Sequence, residues 1–211
     1  NFLGSYLVML VPLTAGLLLR APSGPTAVLL ILQVVCLILT RARAAWIGLT
    51  AGVLVGTLAF ALVTKRRLAP SILAVALTAA VIAAALILPF GTGAGSTPIS
   101  ATARLTVWRA VLPLIAERPI RGHGPETLRA RFWQVYPPEL VYYQGREVVV
   151  DRAHNLWLDL AFAQGLLGVA AFVAVLAVAL AHLWRRMQRA GNRSTQLQEA
   201  ALIAAIVGHV V

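Results

Sequence analysis

The sequence predicts an all-α polytopic membrane protein: a bundle of transmembrane helices, partial in extent, carrying one large and mostly helical extracytoplasmic loop. Three observations predict it. The composition is 60% hydrophobic and only 12% charged, against roughly half and a quarter in an average soluble domain. The apolar residues come in runs close to the about 20 residues a helix needs to cross a hydrocarbon core of about 30 Å, and the mean hydropathy is +0.84. The basic residues collect in the breaks between those runs. With 18 Lys and Arg against 7 Asp and Glu, the formal charge is +11, which suits anionic lipid or a phosphate-bearing substrate. Nucleic acid is excluded as the weakest partner, because apolar runs separate the charges. The single cysteine, Cys36, lies inside an apolar run and offers neither a disulfide nor a metal site.

The elements follow in order. Residues 2–19 form a first span, closed by Arg20 and the turn Ala21-Pro22-Ser23-Gly24-Pro25. Residues 26–39 are a short second span, followed by Thr40-Arg41-Ala42-Arg43. A third span covers residues 44–63, and Lys65-Arg66-Arg67 separates it from a fourth over 72–88. Residues 156–183 are the fifth span, and a sixth begins at Ala200. The predicted organisation is therefore four transmembrane helices over 1–90 and an extracytoplasmic loop over 91–153. Residues 154–211 then hold a transmembrane helix, a cytoplasmic turn and the start of a last helix. The chain opens on Asn1 rather than Met and stops within an apolar run at Val211, so it reads as an internal fragment with no visible signal peptide.

Orientation follows from the short turns. Arg20, Lys65-Arg66-Arg67 and the group Arg185, Arg186, Arg189 and Arg193 fall after spans one, three and five. The positive-inside rule puts that side in the cytoplasm and the long loop outside. Eight arginines in the loop run against the bias, which long loops escape. Residues 102–116 carry Leu105, Val107, Trp108, Val111, Leu112 and Ile115 at helical spacing. Pro119 and Gly122-His123-Gly124-Pro125 end that helix. Residues 126–135 predict a short amphipathic helix with Leu128, Phe132 and Trp133 on its apolar side, ended by Tyr136-Pro137-Pro138.

Each chemistry-bearing residue has a plain reading beside its functional one. Arg43, just before Trp46, can grip a phosphate with two parallel hydrogen bonds or snorkel to the head groups; Arg41 has the same two readings. Arg104 and Trp108 share a helix face, while Arg109 points elsewhere. An arginine beside an indole suits anion and sugar binding, and equally an ordinary cation–π pair. His154 can act as a general base near neutral pH, with Asp151 orienting it if that stretch is helical; otherwise it is an interfacial helix-end residue. Asn155 is a candidate N-cap for the fifth span. His123, between two glycines, is expected to be exposed, and His182 and His209 are expected to pack. Asp159 is the one acid inside a span, where it can support a functional site or complement the helix dipole. No glycine-rich phosphate loop, HExxH or CxxC occurs, and no acid cluster suits a divalent metal.

These residues together resemble the bacterial O-antigen ligase and O-antigen polymerase superfamily. The resemblance runs through Asn1-Phe2-Leu3-Gly4-Ser5-Tyr6-Leu7, Arg43-Ala44-Ala45-Trp46-Ile47-Gly48 and Arg104-(x3)-Trp108-Arg109-Ala110. It continues through Pro119-(x2)-Gly122-(x)-Gly124, Ala153-His154-Asn155-(x2)-Leu158 and Gly165-Leu166-Leu167-Gly168, and covers nearly the whole chain. One departure is Ala42 before Arg43, where Ser or Thr is commoner in the family.

The resemblance implies a glycosyltransferase in the bacterial inner membrane with its active site facing outward. It would take a glycan from undecaprenyl diphosphate and pass it to a glycan, lipid or protein acceptor during polysaccharide or lipopolysaccharide assembly. Membrane lipids would be its surroundings. It further implies that Arg43 and Arg104 hold the diphosphate and His154 serves as base for the acceptor hydroxyl. Arg41, Arg109, Asp151 and Asp159 would stand behind these three. No cofactor and no metal is implied, since a pair of arginines can offset the leaving diphosphate's charge. A different class of function, a non-catalytic transporter or flippase subunit for lipid-linked polymer, would be expected to show broken helices or paired charges at mid-span.

Overall fold

The computed structural model describes residues 2–40, 42–64, 98–145 and 149–210. Among the described residues every regular element is helical, so the all-α expectation holds. The helices are α1 (Phe2–Arg20), α2 (Gly24–Thr40), α3 (Arg43–Thr64), α4 (Pro98–Glu117), α5 (Leu128–Phe132), α6 (Leu140–Gln144), α7 (Leu156–Arg189) and α8 (Arg193–Val210). A 3₁₀ turn, Trp133–Val135, follows α5. The expected fourth span over 72–88, Lys65-Arg66-Arg67 and Arg41 lie outside the described residues.

Among the described helices, α1, α3 and α7 are long and apolar enough to cross a membrane. The apolar α2 is shorter, at 17 residues. The expected sixth span falls in α8, which starts at Arg193 and carries the apolar run from Ala200 in its later turns. Local chemistry sets the starts. Ser23 Oγ accepts the Thr26 N–H ahead of α2 at 3.3 Å, and Asn192 Oδ1 accepts the Thr195 N–H ahead of α8 at 2.7 Å.

The chain divides into two compact units, residues 1–90 with 178–211, and residues 91–177. In the first, Leu7, Val8, Val11, Leu37, Trp46 and Leu49 form one core. Ala59, Met187, Ala200 and Ile203 form another. Glu199, 2% exposed, is held there by Arg186 at 3.0 Å. A buried carboxylate is costly without such a partner.

Among the described residues of this unit, α3 and α8 pack closely. Gly48, Gly52 and Gly56 lie against Gly208, Ala204 and Ala200 respectively, small residues at a four-residue period on both helices. That spacing lets helix backbones touch in lipid, where packing replaces the hydrophobic driving force. A Cβ on Gly52 would meet the Ala204 carbonyl oxygen and come within 2.9 Å of the Gly208 nitrogen. Gly52→Leu is therefore expected to separate the helices and to cost about 1–3 kcal/mol or more from overpacking. Thermal unfolding of the detergent-solubilised protein checks this. Gly52→Leu should lower the midpoint while Ile47→Leu, at an exposed position, leaves it unchanged; equal midpoints would dismiss the close contact.

The second unit packs around Val107, Val111, Leu114, Leu128, Phe132 and Phe162. Trp133 is not on the apolar side as the sequence predicts. It is 60% exposed and stacks on Tyr136 with ring centroids 5.3 Å apart. The chain tightens to 3₁₀ at Trp133, which changes the angular step per residue and ends the α-helical phase counted from Leu128.

The fifth span is likewise not one uninterrupted helix. Gly165, at φ 67° and ψ −168°, breaks α7, and the backbone groups freed there are used at once. Phe162 and Ala163 carbonyls accept the N–H groups of His123 (2.8 Å) and Gly124 (2.9 Å). The Leu166 and Leu167 N–H groups bond the carbonyls of Pro119 (2.7 Å) and Ile120 (3.2 Å). The 119–124 turn and the break are two halves of one clip.

Candidate functional site

The site in the second unit grows from one face of α4 and the segment that leads into α7. Arg104 and Val107 on α4 line a recess with Asp151, Arg152 and His154. The recess measures about 40 Å³, room for a hydroxyl or a water rather than a whole diphosphate. Arg104 and His154 are both exposed at it. Arg152 pairs with Glu126 at 3.2 Å on the surface, with side chains 55% and 77% exposed. Such a pair holds little energy in water. Arg104 has no ion pair among the described residues, so its guanidinium is available to an anion.

Two side chains fix the backbone just before the histidine. The Trp108 indole Nε1–H donates to the Ala153 carbonyl at 2.8 Å. Asp159 Oδ1 accepts the Ala153 N–H at 2.7 Å. Ala153 itself is 1% exposed. On the other side, Asn155 caps α7 as its sequence position predicts: its Oδ1 accepts the N–H of Trp157 (3.0 Å) and Leu158 (3.2 Å). His154, between these anchors, has φ 54°. A left-handed backbone at a non-glycine residue costs of order 1–3 kcal/mol and collects at functional sites.

The sequence-predicted residues thus fall in different places. Arg104, Asp151 and His154 share the recess. The 149–155 segment is not helical, so the spacing by which Asp151 was to orient His154 does not exist. Asp159 sits one turn into α7 and serves the Ala153 amide. Arg109 lines a separate open groove of about 410 Å³ with Leu105, Trp108, Leu112, Trp157 and Leu158. Arg43 is the first residue of α3, in the other unit; its side chain and all of Arg41 lie outside the described residues.

Two further corrections concern histidines. His123 is not a free turn residue: its ring stacks on Phe162 at 4.8 Å, and Nε2 donates to the Leu114 carbonyl at 2.6 Å. The turn folds back on α4 and α7, which carries the ring inward. His182 and His209 are exposed rather than packed. Sequence reading missed the clip, although its glycines already stood out as motifs. Positive φ at Gly122 and Gly165 was the signal they carried.

Among the described residues, no three His, Cys, Asp or Glu side chains gather into a group that could hold a metal. The sequence model of the Wzy_C family, described as O-antigen ligase, matches residues 27–173. No curated protein and no solved structure matches the chain.

Proposed function

The chain belongs to the O-antigen ligase family, and on that footing we propose that it transfers a glycan from undecaprenyl diphosphate to an acceptor hydroxyl at the outer face of the bacterial inner membrane. The observation that carries this reading is that Arg104 and His154 line one recess within the matched residues 27–173. In the reaction, the acceptor oxygen forms a bond to the anomeric carbon as the bond from that carbon to the diphosphate oxygen breaks. The diphosphate leaves with the electron pair. His154 takes the hydroxyl proton, and Arg104 offsets the charge that grows on the leaving group. A recess the size of a hydroxyl suits the acceptor oxygen, with the diphosphate across its open mouth. Arg43 is proposed for the same phosphate work on the strength of its motif.

The break in α7 does not revive a transporter. Its freed N–H and C=O groups are taken by the 119–124 turn and are not left to line a substrate path, as they would be in a broken transport helix.

Lysine keeps the charge of an arginine and loses its paired hydrogen bonds. Arg104→Lys and Arg43→Lys are expected to weaken transfer, and the alanine versions nearly to abolish it, in membranes supplied with a lipid-diphosphate glycan. The same assay run in EDTA should still show transfer, because the guanidinium groups do the work of a metal. If both alanine variants bind donor normally, the phosphate site is elsewhere, with Arg41 or Arg109 next.

The orientation is tested separately. In a Cys36→Ser background, a cysteine at the exposed Tyr142 should react with an impermeant thiol reagent from outside the cell, and one at Asn192 should not. The reverse pattern would turn the protein over in the membrane.

A further inference from the structure

We propose that Asp159 and Trp108 are positioning residues that together set the backbone of His154; the proposal rests on the reading of His154 as the base. The two peptide groups that flank the Ala153 α-carbon are pinned, one from each side. Asp159 Oδ1 takes the Ala153 N–H at 2.7 Å, and the Trp108 indole donates to the Ala153 carbonyl at 2.8 Å. The second of these peptides carries the His154 nitrogen, about which the residue turns into the left-handed region at φ 54°. The Asn155 cap fixes the chain beyond. A strained conformation persists only where its neighbours over-determine it, and here they do so with bonds from two helices.

Asp159 is not acting as an ordinary first-turn acid. In a capping box, a side chain in the first turn reaches back to the N-cap amide. The Asp159 carboxylate reaches two residues further, past Asn155 and His154, to the buried Ala153. Nor is Trp108 only a core residue: its ring packs against the apolar core of this unit while its one polar atom is spent on Ala153. The outcome is an imidazole presented at the recess beside Arg104. Small displacements of a catalytic group are expensive in rate, with about 1 Å able to cost about 10²-fold.

The test is a set of variants in the membrane-embedded protein, with donor binding and transfer measured apart. Asp159→Ala and Trp108→Phe should each lower kcat by about 10- to 10²-fold, with donor affinity unchanged. Asp159→Asn should recover most of the rate, because a carboxamide oxygen accepts the same hydrogen bond. A role limited to the helix dipole requires the negative charge and makes Asn as poor as Ala, which would overturn the proposal. In a His154→Ala background, Asp159→Ala should cause no further loss, since groups that act through one another are not additive. An equal fold-loss in both backgrounds would show that Asp159 works independently of the histidine. A normal rate for His154→Ala alone would remove the base reading itself, a failure distinct from either of these.

Discussion

Replacing His154 with alanine is expected to lower glycan transfer by about 10²–10⁴-fold, the usual contribution of a general base, while leaving donor binding largely intact. The imidazole is exposed at a recess large enough for a hydroxyl, and its backbone is held in a costly left-handed conformation. The division of labour makes the expectation specific: loss of the base should fall on turnover, and loss of Arg104 on donor handling as well. Donor binding by the purified variant, followed by single-turnover transfer in membranes, separates the two. A His154→Ala protein that transfers at the normal rate would reduce the histidine to a helix-end residue.

Gly165→Ala should be among the most damaging single substitutions in the chain. The residue sits at φ 67° and ψ −168°, a conformation essentially reserved for glycine. A Cβ there would meet the Ile120 carbonyl and come within 2.7 Å of the Arg121 nitrogen. Relieving the clash means opening the clip, whose four backbone hydrogen bonds join the 119–124 turn to α7. Strain of about 1–3 kcal/mol and lost bonds worth about 1 kcal/mol each put the cost on the order of 4 kcal/mol or more. That is a large share of a typical total stability of about 5–15 kcal/mol. Limited proteolysis should find the 119–124 turn newly cleavable in Gly165→Ala. It should remain protected in Gly191→Ala, where an added Cβ meets nothing within 4 Å. Equal protection in both would mean the clip does not depend on the glycine.

Much of the architecture was legible before any coordinates. Run length located α1 and α3; the turn expected at residues 21–25 is shorter, because Gly24 and Pro25 already belong to α2. The Asn155 cap was legible because capping acts over two or three residues. The apolar run from Ala200 marks only the later turns of α8, since its first turns are polar. Trp133 was misplaced because a change from α to 3₁₀ leaves no mark in hydrophobic spacing. The small-residue period of α3 was present in the sequence, but its partner on α8 lies far along the chain.

By itself, then, the sequence determined the all-α membrane class, the order of most helices and the motifs that mark the O-antigen ligase family. All of these are written in local composition, in period, or in short strings of residues. Tertiary structure alone decided that the 119–124 turn and Gly165 are one device, and that Trp108 reaches Ala153 from 45 residues away. It also decided that the 149–155 segment is irregular, which ends the helical link between Asp151 and His154. The physical reason is common to all three. Hydrogen bonds between distant backbone and side-chain groups follow no sequence period, and they form only when packing has already brought the groups within reach.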